Sequence, residues 1–325
     1  MILDGKDPAA IAEAARVLRS GGLVGFATET VYGLGADASS DSAVAGIFAA
    51  KGRPSDHPLI VHVADPAQVA SYAVDVPPFA ERLMKALWPG PLTVILKRQP
   101  GIAAAAAGGQ DSIGLRCPAH PVAQALLKAC ATGVAAPSAN RFGRVSPTTA
   151  RHVADEFGDG LLVLDGGPCE VGIESSIVDC TRGRPVLLRP GVFTRAQLEA
   201  ACGEPVLDDA GIEADAPRAS GTLASHYAPN ARVRLMDATA IQAALDLLGT
   251  DAAHIAVYAR SIVRIKSEKV IYRRMPDDAL ATAQQLFAVL RGFDAQGVKL
   301  IWIEQPPLAA EWDGVRDRLH RAAAD

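Results

Sequence analysis

No stretch of this chain approaches the roughly 18 consecutive apolar residues that a membrane helix needs. The N-terminus, Met-Ile-Leu-Asp-Gly-Lys-Asp-Pro, lacks a basic patch followed by an apolar core, so neither a membrane span nor a secretory leader is expected. There is no GxxxxGK[ST] to cradle phosphates in the P-loop manner and no GxSxG nucleophile elbow. His57 and His62 lack the helical i, i+4 spacing with Glu of a zinc hydrolase, and the histidines do not pair with cysteines. The five cysteines (Cys117, Cys130, Cys169, Cys180, Cys202) are odd in number and show no CxxC spacing. They are expected to be reduced, mostly buried thiols of a cytoplasmic protein. Aromatic residues make up only 5% of the chain and the formal net charge is −4, which argues against bulk electrostatic binding to nucleic acid. A local basic cleft is compatible with that charge, because a few arginines suffice to create one.

What is present is globular composition, 49% hydrophobic and 21% charged, over 325 residues. That length accommodates two domains of about 150 residues each. From residue 8 to about 200, helical and strand-like segments alternate: helices are expected at 8–19, 78–87 and 121–130, with another ending at Lys51, and strands at 23–27, 59–63, 92–97, 161–164, 176–179 and 186–188. A further helix is expected to open at Ser146-Pro147-Thr148-Thr149, with a hydroxyl cap and Pro at the first position. The irregular connections point to an α/β fold with a twisted mixed sheet. Residues 202–230 have linker composition but end in the chemically pointed Ser225-His226-Tyr227-Ala228-Pro229. Beyond them a β-α-β-α-β pattern and a last helix from about Trp312 suggest a smaller C-terminal Rossmann-like α/β domain without a glycine fingerprint. The expected division is thus 1–201, a linker at 202–230, and 231–325.

The segment from Thr28 to His62 carries the most chemistry. An apolar strand opens into Thr28-Glu29-Thr30, and a helix delivers Lys51 and Arg53 to a second loop closed by Pro54. Asp41 is the expected N-cap. Val44, Ile47 and Phe48 form an i, i+3, i+4 stripe that places Lys51 on the buried side, and Gly52 suits the residue after the helix end. Lysine in a last turn also complements the helix dipole, but two cations beside a hydroxyl loop suit a polyanion and a small polar substrate. Gly33, Gly35 and Ala38 match GxGxxA only nominally, without an acidic residue at a strand end about 20 residues on.

Further along, Ser138, Asn140, Gly143, Arg144 and Ser146 follow a strand of small residues. Hydroxyl, amide, guanidinium and helix-start amides together can line a phosphate, although Ser, Asn and Gly also make ordinary turns. Ser175 and Ser176 start a strand, Arg189 ends one before Pro190-Gly191, and Arg116 offers a planar fork for a carboxylate. His62 is expected to face away from Val61 on its strand.

These stretches resemble the threonylcarbamoyl-AMP synthase family, the YrdC-like proteins, in its long two-domain form. The resemblance is carried by Thr28 to Gly35, Lys51-Gly52-Arg53-Pro54, His57 to Val63, Trp88 to Thr93, Ile113 to Pro118 and Pro137-Ser138-Ala139-Asn140 through Thr148. Glu174 to Asp179, Leu188-Arg189-Pro190-Gly191, Ser225 to Pro229 and Arg316 to Ala322 complete it. It implies synthesis of threonylcarbamoyl-AMP and pyrophosphate from L-threonine, bicarbonate and ATP. A separate transferase complex would pass the product to tRNA as threonylcarbamoyladenosine. By position, Lys51, Arg53, Ser138 and Asn140 match the central tetrad around the phosphates and carbamoyl group. Thr30, His62, Arg116 and Ser176 match threonine contacts. Arg53, His57, Ser112, Ala136, Ser138, Ser146 and Arg189 match nucleotide contacts, as does Tyr227 from a linker acting as a lid. Mg²⁺ is expected to arrive with ATP, without dedicated protein ligands. Ala27 and His57 stand where the family often has Pro and Asn. The alternative is an RNA-binding or assembly protein that uses Arg141, Arg144 and Arg151 on the same concavity. Net negative charge and few aromatics weigh against it.

Overall fold

A computed structural model of the chain describes residues 1–208, 216–261 and 263–324. The chain forms two compact units, 1–142 with 146–222, and 143–145 with 223–325. The stretch expected as a linker, 202–230, is therefore divided at Thr222, and its residues 209–215 lie outside the described residues.

Among the described residues of the first unit, strands β1 (Ile2–Asp4), β2 (Val24–Phe26), β3 (Gly33–Asp37), β4 (Ile60–His62), β5 (Leu92–Lys97), β6 (Ser112–Arg116), β7 (Val134–Ala135), β8 (Leu162–Asp165), β9 (Ser176–Asp179), β10 (Val186–Arg189) and β11 (Leu207–Asp208) form one sheet. Its order is β1-β8-β2-β3-β7-β4-β6-β5-β9-β10-β11. Parallel and antiparallel pairs are mixed: β4 runs parallel to β6, whereas β2 and β3 are antiparallel. Both faces are covered. Helices α1 (Pro8–Arg19) and α4 (Pro121–Cys130) bury Ala14, Leu18, Leu126 and Leu127 against Phe26 and Leu164. On the other face α2 (Asp41–Lys51), α3 (Pro78–Leu87), α5 (Ala150–Phe157) and α6 (Arg195–Cys202) contribute Ile47, Leu83, Val153 and Leu198 to a second core.

Local chemistry explains the element ends. Asp7 caps α1 by accepting from the Ala9 amide, with Pro8 at the first position. Helix α2 is capped by Ser40, which accepts from Ala43, and not by Asp41, which becomes the first helical residue. The serine takes the extended conformation that an N-cap needs, leaving Asp41 to favour the dipole from the first turn. At the other end Gly52 sits at φ 64°, the left-handed region open to glycine, and lets the Arg53 amide donate back to the Phe48 carbonyl. That turn aims Lys51 and Arg53 in their respective directions. Helix α5 also starts later than its proline suggests. Thr149 is its cap, accepting from His152, so Ser146 and Pro147 belong to the preceding loop.

The nominal GxGxxA is explained by β3, which the sequence pattern did not reveal. Gly35 is a strand residue, and a Cβ there would lie 2.8 Å from Val134 Cγ1 and 2.9 Å from Phe26 Cε1. The glycine admits the Phe26 ring to the core and has no part in a phosphate turn.

In the second unit β12 (Arg232–Met236), β13 (Ile255–Ala259), β14 (Ile271–Arg274) and β15 (Leu300–Glu304) form an all-parallel sheet in the order β12-β15-β13-β14. Helix α7 (Ala238–Leu248) packs Ile241 and Leu245 on Ile255, Val257 and Ala259, while α8 (Ala279–Ala295) and α9 (Asp313–Ala323) pack together. Strand β14 was not expected. It is partly exposed and ends in two arginines, so its apolar signal is short. No described helix is long and apolar enough to cross a membrane.

Phe26 has no exposed surface. Phe26→Ala is expected to lower stability by about 3–5 kcal/mol, the cost of a buried aromatic cavity. It should appear as a reduced urea midpoint with an unchanged denaturant slope.

Candidate active site

Three loops meet around β3, an interior strand of the first unit's sheet, and backbone bonds stitch them together. The Leu34 amide donates to Pro137, Ala139 to Tyr32, and Tyr32 to Pro147, while Ala136 donates to Ile60. The Tyr32 hydroxyl, with one proton to share, lies 2.7 Å from the Gly167 carbonyl and 3.0 Å from Asp165 Oδ1, which fixes the end of the Thr28–Val31 turn. Within that turn Thr28 Oγ1 donates to the Val31 carbonyl at 2.6 Å and lies 2.8 Å from Thr30 Oγ1. The loop carrying Glu29 and Thr30 is thus held by its own hydroxyls and by the Val171 and Gly172 amides, which donate to their carbonyls.

Lys51 is 3% exposed. Its ammonium donates to the Ser138 carbonyl at 2.6 Å and to the Asn140 carbonyl, so it spans the loop that carries both residues. The Phe142 amide returns a bond to the Lys51 carbonyl. Burial pushes the Lys51 pKa well down, and the Arg53 charge adds to this, against partial opposition from Glu156 and Glu174. Arg53 Nη2 donates to the Pro58 carbonyl at 2.9 Å, and its guanidinium lies 5.8 Å from the Phe142 ring centre. His57 meets the same ring edge-on at 5.4 Å, and desolvation followed by Arg53 lowers its pKa. Ser146 donates to Glu174, a buried carboxylate whose charge also reaches Lys51.

Arg189 is held through Ser175: Nε donates to the Ser175 carbonyl at 3.1 Å and Nη2 to its hydroxyl, which in turn lies 2.8 Å from Thr93 Oγ1. Arg189 Nη1 donates to the Ser220 carbonyl at 2.8 Å, and Ser220 Oγ donates to Pro58 at 2.6 Å. Arg218 reaches Asp56 and the Gly108 carbonyl. The segment 218–220 thereby bridges the loops of Arg53 and Arg189. Beside it a crevice of about 460 Å³ is lined by Lys97, Gln110, Ser112, Thr181 and Pro217, with Ser112 at the start of β6.

A second polar cluster lies at the other end of β6. Arg116 and His62 are directly opposite in the β4–β6 register. Arg116 Nη1 donates to Thr30 Oγ1 at 2.8 Å, and Nη2 pairs with Glu29 Oε1 at 2.8 Å. Burial would raise the Glu29 pKa, but the charge and hydrogen bond of Arg116 outweigh it and hold the carboxylate below its ordinary range. His62 is driven down to about 3 by desolvation and then by Arg116, so its imidazole is neutral near pH 7. Ser176 begins β9, and a Cβ on Gly191 would come within 2.6 Å of its hydroxyl, so glycine is what admits it. His62 Nδ1, Arg116 Nε and Ser176 Oγ are buried without a hydrogen-bond partner among the described residues.

The structure therefore brings Lys51, Arg53, His57, Ser138, Asn140 and Ser146 into one neighbourhood. Thr30, His62 and Arg116 form another, and Arg189 is linked to the first through Ser220. Tyr227 belongs to the second unit. There it stacks on Phe287 at 5.5 Å, lies under the Arg318 guanidinium at 5.3 Å, and takes φ 61°. Glu29, Glu174, Ser175 and Ser220 were given no role from the sequence. For Glu29 a signal existed: an acid in a tight apolar-flanked loop must find a counter-charge if it is buried.

A family model described as telomere recombination matches residues 16–191, and one described as threonylcarbamoyl-AMP synthase, C-terminal domain, matches residues 193–324. The chain is 37% identical to the threonylcarbamoyl-AMP synthase of Pyrococcus abyssi over 95% of its own length and 93% of the relative's. It is 38% identical to that of Bacillus subtilis over 96% and 92%. The crystal structure of the P. abyssi protein complexed with L-threonine superposes with a TM-score of 0.90 at 36% identity, covering 99% of this chain and 97% of that one.

The depressed pKa of His62 gives a pH signature. Between its ordinary value of 6.5 and about 3 the unfolded chain binds a proton that the folded chain refuses. The associated stability is fully present above pH 6.5 and is lost as pH falls through that window. Urea midpoints measured from about pH 7 to about pH 4 should fall less steeply in His62→Gln than in the wild type, and parallel profiles would contradict a buried neutral imidazole.

Proposed function

The chain belongs to the threonylcarbamoyl-AMP synthase family, and we propose a division of its reaction between the two polar clusters of the first unit. The enzyme makes threonylcarbamoyl-AMP and pyrophosphate from L-threonine, bicarbonate and ATP, for threonylcarbamoyladenosine synthesis in tRNA. We assign the triphosphate and carbamoyl group to Lys51, Arg53, Ser138 and Asn140, and threonine to Thr30, His62, Arg116 and Ser176. The nucleotide is assigned to Arg53, His57, Ser112, Ala136, Ser138, Ser146 and Arg189.

The observation that carries this assignment is the buried ammonium of Lys51 on the carbonyls of Ser138 and Asn140. A lysine in such a place is stabilised as a cation by an arriving polyanion, which restores the charge that burial disfavours. A threonine carbamate oxygen would attack the α-phosphorus while pyrophosphate leaves on the opposite side. Positioning and charge neutralisation are what such a transfer requires. Arg53 and Lys51 supply the charge, and the Ser138 loop supplies the register between phosphate and carbamate. The buried atoms without partners, His62 Nδ1, Arg116 Nε and Ser176 Oγ, suit the carboxylate and hydroxyl of a small amino acid. Neutral His62 can accept a hydrogen bond from a hydroxyl at Nδ1.

Magnesium is assigned to the triphosphate and not to protein ligands, because cations and hydroxyls line this side of the site and Glu174 already accepts from Ser146. The bridge from Arg218 to Ser220 across the loops of Arg53 and Arg189 supports a lid role for the linker. The nucleotide role of Tyr227 rests on the family resemblance. A cytoplasmic location and delivery of the product to a separate tRNA transferase complex complete the proposal.

Pyrophosphate release should require both threonine and bicarbonate when each is omitted in turn. Release that needs neither would identify a plain ATP hydrolase. Lys51→Ala and Arg53→Ala should each lower the rate by about 10²–10³-fold with unchanged circular dichroism, and near-normal turnover in both would remove their assigned roles. Tyr227→Ala should raise KM for ATP more than it lowers kcat. Unchanged kinetics would remove Tyr227 from the lid.

A further inference from the structure

Glu29 lies outside the residues assigned to substrate, yet it is among the most deeply buried acids of the first unit, 6% exposed between two threonines. An isolated carboxylate in such a place is strongly disfavoured, and so is an isolated guanidinium. Glu29 and Arg116 resolve this together at 2.8 Å, with side chains 7% and 5% exposed. The pairing uses one edge of the guanidinium. Nη2 goes to Glu29, Nη1 goes to Thr30, and Nε is left without a hydrogen-bond partner. The carboxylate thus fixes the rotation of the fork and leaves Nε as a buried donor with no acceptor among the described residues.

The pair also sets the charge of the pocket. Four titratable groups that feel Glu29 or Arg116 are themselves neutral near pH 7. His62 and His120 are pushed down, chiefly by desolvation, and the thiols of Cys117 and Cys169 are pushed up by burial. The pair supplies one buried cation and one buried anion, so Arg116 and Glu29 together add no net charge to the pocket.

We infer that Glu29 is a positioning and specificity-determining residue, holding Arg116 and balancing its charge so that the pocket selects amino acids as zwitterions over carboxylates that lack the ammonium. The inference rests on the assignment of this pocket to threonine. A zwitterion adds no net charge to a buried neutral site, whereas a bare carboxylate brings an anion with no cation to spare. Once Glu29 loses its charge the preference shifts toward the acid, because Arg116 is then an uncompensated buried cation that favours an anion.

The test is calorimetric titration of the full chain with L-threonine, with 3-hydroxybutanoate as its counterpart lacking the amino group, and with ATP as control. Glu29→Gln should weaken threonine binding by about tenfold or more and shift the threonine-to-hydroxybutanoate preference by at least as much toward the acid. ATP affinity should be unchanged. Glu29→Asp keeps the charge on a shorter arm, so it should lose affinity for both ligands while retaining the wild-type preference. An unaltered preference in Glu29→Gln, or a parallel loss of ATP binding, would overturn the inference and leave a merely structural acid. A wild-type chain that binds no threonine would overturn the pocket assignment itself, and the inference with it.

Discussion

The interaction on which the site depends is the buried bond of Lys51 to the carbonyls of Ser138 and Asn140. It joins the end of one helix to a loop nearly ninety positions away in the chain, and it does so with a group that dislikes its surroundings. The carbonyls supply dipoles but no counter-charge, so the ammonium remains depressed in pKa. A cation kept in this condition is poised for an anion, and the cost of holding it falls on the packing of α2. Ile47 and Phe48 of that helix are core residues, and Gly52 turns the chain immediately after the lysine. The core therefore constrains the position of a charge that the core itself does not favour.

The rest of the site follows the same logic of polar groups held by other polar groups. Arg189 is oriented by Ser175, which is oriented by Thr93. Arg116 is shared between Thr30 and Glu29. Preorganisation of this kind places donors before the reaction starts, and so removes reorganisation from the barrier. Hydroxyls carry much of this orientation, as Thr30, Ser175 and Thr93 show. A hydroxyl can both accept from an arginine and donate to a carbonyl within a small volume.

The two units differ in how much chemistry they display. The first has a mixed sheet of eleven described strands, and the loops around β3 are tied together by backbone bonds. The second is a regular parallel sheet, and at the end of its central β15 Glu304 already accepts from the Ser261 amide and hydroxyl and pairs with Arg260. That carboxylate is occupied by neighbours of its own unit. Tyr227 is anchored there by Phe287 and Arg318, and its positive φ is sustained by that packing.

Much of this was legible in the sequence. The helix that ends at Lys51, the glycine that follows it, the alternation of helices and strands, and the ordered motifs of the family all reside in local patterns. Caps, periodicity and turn residues act over a few positions, so a linear chain displays them. Strand β3 was hidden because Gly-Leu-Gly-Ala-Asp has low strand propensity and is held by neighbours on both sides. The choice of Ser40 over Asp41 as cap, and of Thr149 over Ser146, turned on backbone angles to which residue identity is blind. The pairing of Glu29 with Arg116 and the charge state of His62 required the fold, because each depends on a partner brought near by the sheet and on the exclusion of water around it. The sequence by itself determined which chemical groups this protein possesses and the order in which they occur. Tertiary structure alone decided which of them are buried together, and burial is what sets their charges.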